Sequence, residues 1–403
     1  MKIKNLILKN IGPFENAEIN FEGNLEDSNP VIIFTGENGT GKSIIVDAIR
    51  VLLLGSTQKI ERQIHSNENF FMSLNIELPD KQDLTITSNS INRYGNYETN
   101  SYEFNKIFSS NKSSYEDNFI INYWSSKLSN ESFKISHIQA PEMNSIFENS
   151  LSGVHGNSEV TKLITFFDYL KDSDEPNEKA IGTHISHLIK NIIKFSVTNG
   201  ELKYISRTKL QPIISIFNRE ITLDKLSSGN LYLLQRLIYL LKQIYANCVK
   251  FDIPVEQIQN TPGILIIDEA ENHLHPKWQK SFLSGLLNVF PNIQIIVTTH
   301  SPFIISSVNN SRIFVCSNTE KFSIVTEETD YYSNKPVEEI LLSPLFNTSN
   351  FNSEISELLN KRKIAIESNN SKIISEIENR LLELNPEYFN FLNVEHLLKS
   401  LKK

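Results

Sequence analysis

The sequence predicts an α/β fold: a head with a mixed, largely parallel core sheet, a helical insertion and a C-terminal helical extension. Three observations predict it. Gly36, Gly39 and Gly41 cluster between a short β-branched run and a helical pattern, although the chain has only 14 glycines in 403 residues. Residues 263–268, 276–290 and 293–298 read as strand, helix and strand, the βαβ unit that builds parallel sheets. Beyond Lys335, the residues Ile340, Leu341, Ile355, Leu358, Leu359, Ile364, Ile373, Ile374, Ile377, Leu381 and Leu382 recur at helical spacing in a charged background.

From the start of the chain, residues 2–8 and 17–21 alternate as strands and are joined by a turn at Gly12-Pro13. Residues 30–35 form the strand before the glycines, and Ile44, Ile45, Ala48, Ile49, Leu52 and Leu53 mark the helix after them. Short strands are expected at 74–78 and 84–87, followed by an Asn/Ser/Tyr-rich mobile loop over 88–118. Residues 158–195 read as two helices, with Leu163, Phe166, Phe167 and Leu170 on the first and Ile181, Ile185, Leu188, Ile189 and Ile192 on the second. Alternation returns at 201–207 and 213–223, and 231–245 is again helical. The expected organisation is a first lobe over 1–157, a helical insertion over 158–200, a second lobe over 201–330, and a helical region over 331–403 suited to partner or oligomer contacts.

Composition narrows the function classes. The chain carries 39 Lys+Arg against 47 Asp+Glu, a formal net charge of −8, so global basicity gives no warrant for nucleic-acid binding. Apolar runs such as 51–54 and 264–267 fall far short of the roughly 18 residues a spanning helix needs. Residues 1–10 interrupt their apolar side chains with Lys and Asn, unlike a signal peptide, so no membrane association and a cytoplasmic location are expected. Cys248 and Cys316, the only two cysteines, lie far apart in sequence and read as core residues, giving neither a disulfide framework nor a zinc knuckle.

Gly36-Glu37-Asn38-Gly39-Thr40-Gly41-Lys42-Ser43 fits the GxxxxGK[ST] pattern between a strand and a helix. Glycines let successive backbone N–H groups turn toward a phosphate, Lys42 reaches the β and γ oxygens, Ser43 ligates Mg²⁺, and the helix dipole favours the negative charge. ATP and Mg²⁺ are the expected ligands. The apolar run Ile264-Leu265-Ile266-Ile267 ends in Asp268 and Glu269; Asp268 is the candidate metal ligand, and Glu269 the residue that polarises the attacking water. Leu226-Ser227-Ser228-Gly229-Asn230 opens a helix with hydroxyls and flexible backbone suited to a γ-phosphate, or is simply an N-capped helix start. His300, in Thr298-Thr299-His300-Ser301-Pro302, ends the next buried strand and is expected beside the two carboxylates, where ligands bind in open α/β sheets. His273 and His275 make a His-x-His pair for which the sequence places no third metal ligand.

In this order the four motifs resemble those of the ABC-type ATPases, in the branch containing SMC heads, RecF and the overcoming-lysogenisation-defect ATPases. The resemblance covers most of residues 1–316. It implies Walker A at 36–43, the signature at 226–230, Walker B at 264–269, the D-loop at 271–276 and a switch histidine at His300. The signature departs from Leu-Ser-Gly-Gly-Gln at Ser228 and Asn230. Gln139, in His137-Ile138-Gln139-Ala140-Pro141, is either the family's Q-loop glutamine or an exposed loop residue.

By the same resemblance, a homodimer or higher oligomer sandwiches ATP, with Ser227, Ser228 and Gly229 of one copy facing Walker A of another. The segments Glu-Asn-His-Leu-His-Pro and Thr-His-Ser-Pro, with a helical tail after 336–341, are similar to the PtuA ATPases of bacterial Septu anti-phage systems. That likeness implies an HNH nuclease partner of the PtuB type, acting in trans, with DNA reached through the complex. A RecF-like repair ATPase and a PARIS-like sensor ATPase restraining a toxin or nuclease are the alternatives.

Overall fold

The computed structural model describes residues 1–22, 31–57, 63–67, 69–108, 117–129, 131–141, 146–147, 149–154, 156–309, 311–346, 351–368 and 370–392. The chain divides into two compact units, Met1–Val337 and Glu338–Lys403. The first unit begins with β1 (Lys2–Ile11), β2 (Phe14–Asn20), β3 (Val31–Gly36) and α1 (Lys42–Leu54). Next come β4 (Phe71–Glu77), β5 (Asp83–Ser88), the small hairpin β6 (Ser90–Ile91) and β7 (Tyr97–Glu98), α2 (Tyr102–Asn105) and β8 (Ile120–Trp124). Helices α3 (Asn157–Lys171) and α4 (Pro176–Ser196) precede β9 (Gly200–Ser206), β10 (Gln211–Ile216), β11 (Arg219–Thr222) and α5 (Ser228–Lys250). The βαβ unit follows as β12 (Gly263–Ile267), α6 (Pro276–Val289) and β13 (Ile293–Thr298), and then α7 (Pro302–Ile305), β14 (Ser311–Asn318), β15 (Ser323–Glu327) and α8 (Thr329–Tyr332).

Besides the two-stranded β6–β7 hairpin, the described strands form three larger sheets. The central one has the order β15-β14-β3-β13-β12-β8, and every neighbouring pair is parallel except β14 with β15. Its inner strands read as continuous apolar runs because both faces are covered; every residue of β3, β12 and β13 is buried. A four-stranded antiparallel sheet, β2-β1-β4-β5, lies beyond α1, and one core joins Leu6 and Ile19, Val46 and Leu52 of α1, Leu74, and Phe34 and Ile266 of the central sheet. The third sheet, β11-β10-β9, leads into α5. Parallel pairing brings the C-terminal ends of β3, β13 and β12 to one edge, with β13 in the middle. The loop before α1, the end of β12 and the end of β13 therefore share one site, as open α/β sheets require of a ligand crevice.

The stretch 88–118 departs from the mobile loop expected of it. Its described part holds the β6–β7 hairpin and α2, and buries Tyr97, Asn105, Ile107 and Phe108. Asn105 explains the order: its Nδ2 donates to the carbonyls of Leu52 at 2.9 Å and Leu53 at 2.6 Å, satisfying acceptors that the end of α1 leaves open. A polar composition conceals this role, since the packing partner lies some fifty residues upstream. Residues 109–116 lie outside the described part.

In the second unit, α10 (Ser353–Glu367) and α11 (Ser371–Leu384) follow the short α9 (Val337–Leu341). Ile355, Ile377 and Leu381 form a small core with Phe389 and Leu392, and Arg362 pairs with the buried Glu378 at 2.6 Å. Ile364 and Ile373 of the predicted apolar series are instead 64% and 43% exposed. Among the described residues, no helix is long and apolar enough to cross a membrane.

Candidate active site

The loop between β3 and α1 has the backbone its sequence demands. Gly36, Gly39 and Gly41 take φ values of 140°, 81° and 99°, a region that side chains disfavour. At Gly36 the space is closed as well, because a Cβ would collide with the carbonyl of Cys316 on the neighbouring β14. Thr40 Oγ1 closes the loop by donating to Glu37 O at 2.9 Å. The open side is at Gly39, around which an added Cβ would meet nothing within 4 Å.

Lys42 and Ser43 begin α1. The Lys42 ammonium, largely buried, donates to the carbonyls of Gly36 at 2.9 Å and Glu37 at 2.7 Å, and burial holds its pKa below the ordinary lysine value. Ser43 Oγ donates to Asp268 Oδ1 at 3.1 Å, across the intervening strand β13. Thr298, the last residue of β13, donates from Oγ1 to the same Asp268 oxygen at 2.5 Å and accepts from Glu269 N at 2.8 Å. Burial raises the Asp268 pKa against the two hydroxyl hydrogen bonds, which favour the ionised form, while Glu269 and Asp47 add to the rise.

Glu269 sits in the left-handed region at φ 54°, a strained position of the sort that recurs at functional sites. Its Oε2 accepts from Asn272 Nδ2 at 2.5 Å. His300 follows β13, and burial, with Lys42 nearby, lowers its pKa below the ordinary value, which favours the neutral ring. Glu271 fastens the His300 segment, accepting from His300 N and from Thr299 Oγ1, each at 2.7 Å.

Ser227 caps α5 by accepting from Asn230 N at 3.4 Å; Ser227 and Ser228 are exposed, and Gly229 is buried. Among the described residues, these three make no hydrogen bond with the 36–43 loop of their own chain. Gly229 instead abuts the carbonyl of His273, with which a Cβ would collide. The His-x-His pair is engaged elsewhere: His273 Nε2 bonds to Ser126 O at 2.9 Å, and His275 Nδ1 caps α6 by accepting from Lys277 N at 3.3 Å. Cys248 and Cys316 are buried free thiols, and burial pushes the pKa of Cys316 up to about 12.

Gln139 is not brought to this edge. It is exposed and lines a cavity of 660 Å³ with Glu131, Glu159, Lys162 and Lys242, a lining that includes no residue of the 36–43 loop. The segment that does follow the strand beside β12 is Ser125-Ser126, placed there because Asp268 N donates to Trp124 O at 2.9 Å. Sequence reading gave no role to Thr298, and placed Glu271 and Asn272 only within the D-loop that the resemblance implies. For Glu271 and Asn272 the available signal was a polar side chain within three residues of the paired carboxylates at a strand end; Thr298 lies 30 positions from Asp268 and gave no local signal.

The donors present suit magnesium and a triphosphate: a hydroxyl and a carboxylate oxygen already in contact, a buried ammonium held by carbonyls, and a glycine loop at a helix N-terminus. This fold and site define a P-loop ATPase head of the ABC type. The chain belongs to the family described as "AAA domain, putative AbiEii toxin, Type IV TA system", whose model matches residues 31–306. It is similar to "Retron Vc95 probable ATPase" of Vibrio cholerae serotype O1 biovar El Tor, 36% identical over 134 residues, which are 33% of this chain and 25% of that protein. Septu protein PtuA of Bacillus mycoides is 24% identical over 94% of this chain and 49% of its own length, and that of Bacillus thuringiensis is 26% identical over 76% and 73%. The chain thus spans about a quarter and about half of the first two of these relatives. The SMC head domain of Thermotoga maritima aligns with 81% of this chain and 99% of its own at 17% identity and a TM-score of 0.45.

Proposed function

We propose that this chain hydrolyses ATP as the nucleotide-driven switch of an anti-phage defence complex, closing as a dimer around ATP and gating a nuclease that acts in trans. The observation that carries the ATP site is the Ser43–Asp268 contact at 3.1 Å beside the buried Lys42. Magnesium, when bound, neutralises charge on the transferring phosphoryl group, and Ser43 and Asp268 hold it. Gly36, Glu37, Asn38, Gly39, Thr40 and Gly41 supply the loop whose N–H groups grip the phosphates, and Lys42 adds its charge. Glu269 accepts a proton from the attacking water, and His300 hydrogen-bonds at the γ-phosphate end. Ser227, Ser228 and Gly229 act on the nucleotide of a second copy, a role supported by the exposure of Ser227 and Ser228 at the start of α5 and by the lack, among the described residues, of a bond from any of the three to their own loop.

Similarity to the Septu PtuA proteins supports the defence role, and the HNH nuclease partner and access to DNA follow from that reading. A restrained toxin is the second reading, favoured by the family description. Light scattering with ATP and magnesium tests the switch: the Glu269→Gln protein is expected to run as a dimer and the Lys42→Ala protein as the nucleotide-free species. Identical masses with and without ATP for Glu269→Gln would refute dimerisation around nucleotide. Co-expression with the neighbouring open reading frame, followed by a DNA cleavage assay, separates nuclease gating from toxin restraint.

A further inference from the structure

Two acids near the end of β12 are candidates for work on the nucleotide, Glu269 and Glu271, and their surroundings separate them. Glu269 spends one carboxylate oxygen on Asn272. Glu271 has both oxygens bound, Oε1 to the backbone N–H of His300 and Oε2 to the hydroxyl of Thr299, each at 2.7 Å. Bonds from neutral donors to an ionised carboxylate are about twice as strong as neutral pairs. A group so engaged holds its neighbours in place.

The turn that carries Glu271 is itself fixed at several points. Asn272 N donates to Glu269 O at 2.9 Å and Leu274 N to Glu271 O at 3.0 Å. Gln279 of α6 donates to Leu274 O at 2.8 Å, and His273 bonds to Ser126 O. Gln279 also accepts from Ser301 Oγ, tying the residue after His300 to the same anchor. The backbone of residues 299–301 lies past the end of β13: Thr299 N still donates to Phe34 O of β3 at 2.9 Å, and the next N–H, that of His300, goes to Glu271. Beyond that one backbone bond, side chains hold the segment, and Glu271 supplies two of their bonds.

We infer that Glu271 is a positioning residue that fixes His300 for the hydrolytic step by clamping residues 299–300 to the 271–275 turn. The inference rests on the ATP-site reading above. The clamp leaves nucleotide binding to the 36–43 loop and acts on turnover alone.

The test measures nucleotide affinity with a fluorescent ATP analogue and steady-state ATPase kinetics on the full chain, for Glu271→Ala, Glu271→Gln, Thr299→Val and the double variant Glu271→Ala with Thr299→Val. Expected are affinities within about threefold of the unmutated chain, and a fall in kcat of about tenfold for Glu271→Ala with KM little changed. Glu271→Gln, which retains one acceptor oxygen, loses less. The losses in the double variant fall short of the product of the two single-variant losses, because both changes remove the Glu271–Thr299 bond. A kcat for Glu271→Ala within about twofold of the unmutated chain, or losses that multiply in the double variant, overturns the assignment. An unmutated chain that neither binds nor hydrolyses ATP overturns the ATP-site reading instead, and shows it before any variant is compared.

Discussion

The Ser43 hydroxyl donates to Asp268 Oδ1 at 3.1 Å, although 225 positions separate the two residues. Strand β13 lies between the strands that deliver them, and its terminal Thr298 bonds to the same oxygen. Two oxygen atoms of the kind that ligate magnesium are thus in contact, an arrangement that would lower the reorganisation required for such an ion to bind.

Truncating Lys42 removes the one buried cation of the loop. Lys42→Ala is expected to weaken ATP binding by about 100-fold or more, equivalent to roughly 3 kcal/mol. Isothermal titration with ATP and magnesium reads this directly; an affinity within a few-fold of the unmutated chain would remove Lys42 from the site.

Glu269→Gln preserves shape and the Asn272 hydrogen bond while removing the base. Turnover should fall by about 100-fold or more with ATP affinity retained. Phosphate release over time decides it, and undiminished turnover would pass the role to another group.

Asp268 gives a pH prediction. Because burial raises its folded pKa above the unfolded value, the folded state holds this proton more tightly. Its favourable contribution is therefore complete below the ordinary aspartate pKa and is lost as pH rises through the folded pKa. Asp268→Asn, whose amide oxygen can accept from both Ser43 and Thr298, is expected to raise the nucleotide-free Tm at pH 7. The gain should shrink as the pH falls through the raised folded pKa and be gone below about pH 4, the ordinary aspartate value. A lower Tm at pH 7 contradicts the assignment of a burial cost to this carboxylate.

Asn105 predicts stability rather than activity. Asn105→Ala leaves the buried carbonyls of Leu52 and Leu53 without their donor, for a loss of about 2–3 kcal/mol in urea unfolding. A change below about 0.5 kcal/mol would mean that solvent or neighbouring groups satisfy those carbonyls.

Much of the architecture was legible because it rests on local chemistry. The glycines at 36, 39 and 41, the buried run 264–267 and the helical spacing of α3, α4 and α5 each announce themselves within a dozen residues. Gln139 shows the limit. Its sequence context suits a site loop, yet its neighbours in space are Glu159 and Lys242 on α3 and α5, while the position beside Asp268 belongs to Ser125-Ser126. Loop destinations depend on contacts far apart in sequence, and no periodicity encodes them.

By itself, the sequence determined the phosphate loop, the paired carboxylates and the order of strands and helices, since glycine dihedrals and apolar periodicity act over short stretches. The tertiary structure alone decided that β13 lies between β3 and β12, that Thr298 serves both Asp268 and Glu269, and that Glu271 binds the His300 segment. Those outcomes follow from strand pairing and hydrogen-bond satisfaction across the whole chain, where the partner of each buried polar group is fixed only once the sheet has closed.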